Sequence, residues 1–256
     1  MHGSHPVAVV FDGSFDGLLC IADRMHNENI MVESVTRYAT GTRPLCDSLT
    51  VSTDGALARR IQQQLREKLT RRQCRRVLYA FLADDDEVYL PLLRYIQIGL
   101  KDPERLDDLT DETIQMVYEA AQRVARERHR MLGFARFARL RDDSYFAVIA
   151  PRHDVLPLLG GHFRQRFPDR HWYIYDQGRR TLLIHDDTGL AIEKVTSLSL
   201  PGLHPEEHRY QRLWQTFFDS VAIGERVSYE RQRSFVPLFY RGCMTEFVDG
   251  ALTPDI

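Results

Sequence analysis

The hydrophobic pattern opens with PVAVVFD, residues 6 to 12, a β-branched run stopped by Asp12-Gly13. GLLCIADRM follows at helical spacing, so a strand, a turn and a helix are expected first. From Glu33 to Asp54 the chain is polar, rich in Thr, Ser, Gly and Pro, and reads as a connector with one short strand at Ser48 to Ser52. Thr53 or Asp54 then caps a helix running to about Leu69, with Leu57, Ile61 and Leu65 on its apolar face. RRQCRRVLYAFLA and EVYLPLLRYIQIGL predict two more helices, the second ending at Gly99. The longest periodic tract starts at Thr110 to Glu112, continues through DETIQMVYEAAQRVARERHRMLG and closes at Gly133.

Beyond Gly133 the period becomes alternating. FARFARL and SYFAVIA read as a hairpin about Asp142-Asp143. VLPLLGGHFRQRF predicts a helix or broken helix, HWYIYD a strand, RRTLLIHDD its partner and GLAIEKV a third strand. In HWYIYD, Tyr173 faces one side and Trp172 with Ile174 the other; Trp172 is expected in the core, while exposed aromatics on such a sheet can stack on bases. HRYQRLWQTFFDSVAI returns to helix with a wide apolar stripe of Tyr210, Leu213, Trp214, Phe217, Phe218 and Val221. The aromatic tail SFVPLFYRGCMTEFV is expected to pack. The fold class is therefore α+β: a helical first half packed on a mainly antiparallel sheet from residues 134 to 193, joined by the strand at 6 to 12, and a helical C-terminal segment. We read residues 1–256 as one domain with a soft division into 1–133 and 134–256.

Composition changes this picture little: 256 residues, 43% hydrophobic and 27% charged, suffice for a sizeable core and exclude a disordered tail. No apolar run has the roughly 18 residues of a membrane span, and MHGSHPVAVVFDGSFDG lacks the pattern of a signal peptide, so a cytoplasmic protein without membrane association is expected. Cys20, Cys46, Cys74 and Cys243 are far apart, without a CxxC pair, and are expected to be reduced thiols. Charge is more informative. The formal net charge of −2 conceals two basic blocks: Arg59 to Arg76 has eight Lys/Arg and one acid, and Arg123 to Arg141 has seven Arg and one acid. Between them, Asp84 to Glu112 holds ten acids and three bases. Basic stripes suit polyanions, because each cation seated on a phosphate releases counterions; they also pair with acidic blocks or simply solvate a helix.

Candidate chemistry concentrates in two places. On the longest helix, Ile114, Val117, Ala121, Val124, Arg128 and Met131 trace one seam that Arg128 interrupts, and a guanidinium there needs an anion or an opening to solvent. Arg123, Arg126 and Arg130 follow another face beside His129, and these arginines together can clamp phosphates. The loop Asp12-Gly13-Ser14-Phe15-Asp16-Gly17 can bind an anion through its backbone, or place two carboxylates for acid–base or cation chemistry, but lacks the GK[ST] and GxGxxG patterns of nucleotide loops. Asp12 or Asp16 is expected to approach Arg126, Arg128 or His129. The ten histidines show no metal-ligand spacing, so no metal site is expected.

The segments FDGSFDGLL, VARERHRMLGFARF, VLPLLGGHFRQRFPDRHWYIYDQGRR and YQRLWQTFFDSVAIGER carry a resemblance. From about Val9 to Phe247 the chain resembles a bacterial family of probable DNA metabolism or repair proteins whose shared domain also occurs attached to uracil-DNA-glycosylase-like enzymes. Its tail departs: Val236-Pro237-Leu238-Phe239-Tyr240 stands where the family has a Met-Pro-basic-Tyr-Trp run. The resemblance implies a DNA context and a radical-SAM companion that holds the iron–sulfur cluster, which agrees with the lack of a closely spaced cysteine triad here. No cofactor of the chain's own is expected. The leading expectation is a nucleic-acid-binding accessory protein that uses Arg123, Arg126, Arg128 and Arg130 on DNA phosphates beside a radical-SAM or glycosylase-type enzyme. The alternatives are a DNA-acting hydrolase or nuclease with Asp12, Asp16, His129 and His162 around one cleft, and an assembly scaffold that docks a partner helix on its aromatic tail.

Overall fold

The computed structural model describes residues 6–38, 48–221 and 228–248. Cys46, the middle of the 33–54 connector and the AIGER of YQRLWQTFFDSVAIGER lie outside the described residues. The chain divides into two compact units, residues 1–125 and 126–256.

In the first unit β1 (Val7–Phe11) is the central strand of a parallel three-stranded sheet, between β2 (Val32–Arg37) and β3 (Ser48–Val51). Helix α1 (Phe15–Asn27) starts directly after β1, with the Ser14 hydroxyl accepting from the Gly17 N–H as an N-cap. Helix α2 (Gly55–Lys68) follows β3 and is capped by Asp54, not Thr53. Helices α3 (Arg71–Phe81) and α4 (Asp86–Lys101) complete the layer, and the Thr70–Gln73 capping box starts α3. Phe11, Leu18, Leu19, Ile21, Leu92 and Ile96 form the core of this unit.

Three expectations are corrected here. Strand β1 pairs only with β2 and β3, not with the later sheet, and the connector after Glu33 begins as a strand. Strand β2 escapes the alternation rule because its pairing with β1 shifts register after Val7, so that its buried residues, Val32 and Val35, stand three apart. Helix α4 also continues through Gly99 to Lys101. A Cβ at Gly99 would lie 2.8 Å from Leu106 Cδ1 and 3.1 Å from Leu69 Cδ2, so this glycine permits close packing instead of ending the helix.

Helix α5 (Glu112–Phe134), capped by the Asp111 carboxylate, crosses the division between the units. The second unit is built on a five-stranded sheet of order β4 (Phe137–Arg139), β5 (Tyr145–Ile149), β6 (Trp172–Asp176), β7 (Thr181–Asp186) and β8 (Gly189–Lys194). Three of its pairings are antiparallel, including the expected β4–β5 hairpin. Strands β5 and β6 run parallel, which requires the crossover carried by a 3-10 turn at Leu156–Leu158 and α6 (Gly160–Arg166). Leu140, Phe146, Tyr175 and Leu182 form a cluster covered by Val195, Leu198, Leu200 and Leu203. Trp172 and Ile174 are buried, as expected.

Helix α7 (Glu207–Val221) reverses the expected polarity. Tyr210, Leu213, Trp214, Phe217 and Val221 are exposed, whereas Glu207 and Gln211 are buried. Hydrogen bonds explain the orientation: Glu207 accepts from the Arg139 backbone N–H, and Gln215 donates to the Thr245 carbonyl. Helices α8 (Tyr229–Phe235) and α9 (Leu238–Arg241) follow. Within the aromatic tail Tyr240 and Met244 are buried, while Phe235, Leu238 and Phe239 are exposed. Cys20, Cys74 and Cys243 are free thiols.

Candidate nucleic-acid interface

The two basic blocks fare differently once their side chains are placed. In the block around α5, Arg123 pairs with Asp85 at 3.4 Å. Arg128 donates from Nε to the Leu158 carbonyl at 3.1 Å, so a backbone oxygen receives the charge that interrupts the seam. Arg130 hydrogen-bonds to the Tyr240 hydroxyl. Arg126 is exposed and has no ion pair among the described residues. Three of the four arginines therefore have structural partners.

The block on α2 and α3 remains available. Arg60 is bound to the buried Asp23, Lys68 donates to the Leu100 carbonyl, and Arg76 is buried against Tyr95 and the Leu106 carbonyl. Arg59, Arg66, Arg71, Arg72 and Arg75 are exposed and make no ion pair among the described residues. Helical spacing groups them: Arg59 and Arg66 are seven apart on α2, Arg71 and Arg75 four apart on α3. Thr70, which caps α3, leaves only two residues between the end of α2 and the start of α3, so both rows belong to one helical hairpin.

The DGSFDG loop is a hydrogen-bonded turn. Asp12 Oδ1 accepts from the backbone N–H and hydroxyl of Ser14, and Oδ2 from the Thr53 hydroxyl at 2.6 Å. Burial pushes the Asp12 carboxyl up, but the bonds from Thr53 and Ser14 outweigh it and hold the group below the usual aspartate value. A Cβ on Gly17 would fall 2.4 Å from Asp12 Oδ1, so glycine lets α1 begin beneath the carboxylate. Asp16 is exposed in the first turn of α1. Asp12 and Asp16 belong to the first unit, His129 and His162 to the second. His129 is exposed, and the His162 ring meets Phe163 edge-on at 5.1 Å. Among the described residues no group of three or more His, Cys, Asp or Glu could hold a metal ion.

The anion that matters most on α5 is Glu127, the single acid of its block. It is 3% exposed, and its carboxylate accepts from the backbone N–H groups of Arg152 and His153 at 2.8 and 2.7 Å and from the Tyr240 hydroxyl at 2.6 Å. Burial and the neighbouring Glu127 carboxylate push the Tyr240 phenol up to about 12, so it stays a donor. Asp176, also buried, organises the other side of the same loop: it caps the Gly178–Arg179 turn, and Arg179 reaches the Pro151 and Arg152 carbonyls. The β5–α6 connection is thus fixed by side chains from three distant parts of the second unit.

A family model described as a domain of unknown function, DUF4130, matches residues 86–246. The chain belongs to this family. No curated protein and no solved structure matches it. The DUF4130 segment begins at the first residue of α4 and contains the Glu127 network, the five-stranded sheet and α7. The DGSFDG turn and the basic α2–α3 hairpin precede it. Within the DUF4130 segment, sequence reading singled out the arginines of RERHR and passed over the glutamate. A lone acid in a run of bases, one turn from the apolar Val124 and Met131, is the available signal for a buried anchor.

Proposed function

We propose that this protein is a nucleic-acid-binding accessory factor that grips the DNA phosphate backbone with the α2–α3 hairpin. The observation that carries this reading is the set Arg59, Arg66, Arg71, Arg72 and Arg75, five exposed guanidinium groups without acidic partners among the described residues. Holding like charges together on one hairpin favours a polyanion, whose condensed counterions are released on contact. The arginines on α5 have less to offer, with Arg126 as their one exposed member. No pattern for reading base edges accompanies the patch, so binding is insensitive to duplex sequence. The resemblance to repair-associated proteins supports a cytoplasmic setting in which a radical-SAM or glycosylase-type partner performs the chemistry.

Fluorescence anisotropy with a labelled duplex across a salt series tests this. Wild-type affinity should fall steeply with salt, and replacing Arg71, Arg72 and Arg75 by Ala should reduce the slope of log K against log salt by about 2 to 3. An unchanged slope rejects the hairpin as the contact. Metal-dependent cleavage of the duplex by the purified chain rejects the accessory role in favour of an enzyme.

A further inference from the structure

One face of the five-stranded sheet carries a cross-strand row that the phosphate-binding reading does not use. Register places Arg139 opposite Tyr145, Tyr145 beside Trp172, and Trp172 opposite His185. Trp172 and His185 stack at 5.0 Å with 13° between planes, and His185 Nδ1 donates to the Arg170 carbonyl at 2.9 Å. This bond pins the Arg170 backbone while its guanidinium remains exposed, without an acidic partner among the described residues.

Two cavities share Phe137 and Tyr145 as walls. One, of about 350 Å³, is completed by Phe167, Arg170 and Trp172. The other, of about 460 Å³, is bordered by Arg136, Arg139, Glu207, Tyr210 and Trp214, among others. Both fall within the roughly 300–1,000 Å³ of ligand clefts. Each is lined by a buried residue with an unpartnered polar atom: the indole Nε1 of Trp172 and the Oε1 of Gln211. Buried polar atoms in proteins usually have partners.

The lining selects the class of ligand. Aromatic walls alone would also suit an organic cation, but the cleft presents three guanidinium groups and one carboxylate. That carboxylate, Glu207, is occupied by the Arg139 N–H and the Gln211 amide. Arg136 is held by Glu246 and lies over the Trp214 ring, and Arg139 pairs with Asp143, which leaves Arg170 to meet an incoming anion. A flat π surface combined with a negative group is the complement.

We infer that this cleft binds a nucleotide, with the base against the wall of Phe137 and Tyr145, which the buried Trp172 backs, and the phosphate at Arg170. Base stacking on aromatic side chains tolerates any sequence, and the bound species is either a free mononucleotide or an unpaired nucleotide of a single strand. The inference deepens the nucleic-acid reading and rests on it for the strand as source, but its site is separate from the α2–α3 hairpin.

The chain's two tryptophans, Trp172 and Trp214, line the two cavities and report directly on occupancy. The full chain is titrated with AMP, single-stranded oligodeoxyadenylate, the matching duplex and ribose 5-phosphate, with tryptophan fluorescence as the readout. Saturable quenching by AMP identifies the free nucleotide as a ligand, and quenching by the single strand alone identifies the strand. Arg170→Ala, at an exposed position, and Tyr145→Ala should each weaken binding about 10-fold. The inference is overturned if neither AMP nor the single strand quenches, if duplex or ribose 5-phosphate quenches equally well, or if Arg170→Ala leaves affinity unchanged. The Arg71, Arg72 and Arg75 alanine variant separates the two sites: it should lose duplex affinity and keep the wild-type nucleotide response. Failure of duplex binding alone therefore counts against the hairpin, and failure of quenching alone against the cleft.

Discussion

Replacing Glu127 by Gln removes a charge while preserving shape, so it isolates the electrostatic work of the buried anchor. Glu127 Oε1 serves both Arg152 N–H and the Tyr240 hydroxyl, and Oε2 serves His153 N–H. The least costly orientation of the amide keeps its oxygen on Arg152 and Tyr240 and turns its NH2 toward His153. Two charge-assisted bonds then become neutral ones, each roughly half as strong, and one buried backbone N–H loses its acceptor at a cost of about 1–3 kcal/mol. The expected destabilisation is about 3 kcal/mol. Because Trp172 and Trp214 both lie in the second unit, urea unfolding followed by tryptophan fluorescence reads this unit selectively. With a urea slope of about 1–3 kcal/mol/M the midpoint should drop by 1 M or more. Tyr240→Phe, which removes one donor, should cost about 1.5–3 kcal/mol alone and less in the Glu127→Gln background. A loss under about 0.5 kcal/mol for Glu127→Gln, within the range of ordinary surface substitutions, would refute the anchoring role.

Two further outcomes follow from packing and titration. Gly99→Ala should destabilise the first unit by about 1 kcal/mol, because overpacking against Leu106 and Leu69 at 2.8 and 3.1 Å exceeds the helix-propensity gain; a calorimetric increase in stability would contradict the packing role. Burial raises the Glu246 carboxyl, but Arg136 and Trp214 outweigh it and hold the group below its ordinary value of 4.5. The folded-state value is therefore depressed: its stabilisation is present in full above the unfolded-state value and is lost as pH falls through the folded one. Glu246→Gln should flatten the acid limb of the stability–pH curve below about pH 5 relative to wild type, measured by urea midpoints, and an unchanged limb would rule out this linkage.

Local interactions account for what could be read from the chain. Caps and helical periodicity predict α2 and α5 because Asp54 and Asp111 bond to N–H groups within three residues, periodicity alone predicts α3, and alternation predicts the β4–β5 hairpin because its partners are near neighbours. The basic block of α2 and α3 is legible as a charge run, but not which of its cations stay exposed: Arg60 and Lys68 find partners 37 and 32 residues away, and Arg76 finds its own 19 to 31 residues away. The β1–β2 register shift, the outward face of α7 and the fate of the α5 arginines were not legible either. Each depends on a partner far along the chain: β1 for Glu33, Arg139 and Thr245 for α7, Leu158 and Tyr240 for Arg128 and Arg130.

The sequence by itself determined the α+β class, most helices and the sign and place of the charged blocks, because these depend on short-range hydrogen bonding, periodicity and composition. Only the tertiary structure decided which charges are spent and which are left. Burying Glu127, Asp176 and Arg76 is tolerable solely where partners 19 to 113 residues away complete their hydrogen bonds, or where a turn folds back on the carboxylate, as at Asp176. The aromatic wall of the cleft likewise exists only because β4, β5 and β6 bring Phe137, Tyr145 and Trp172 into one sheet.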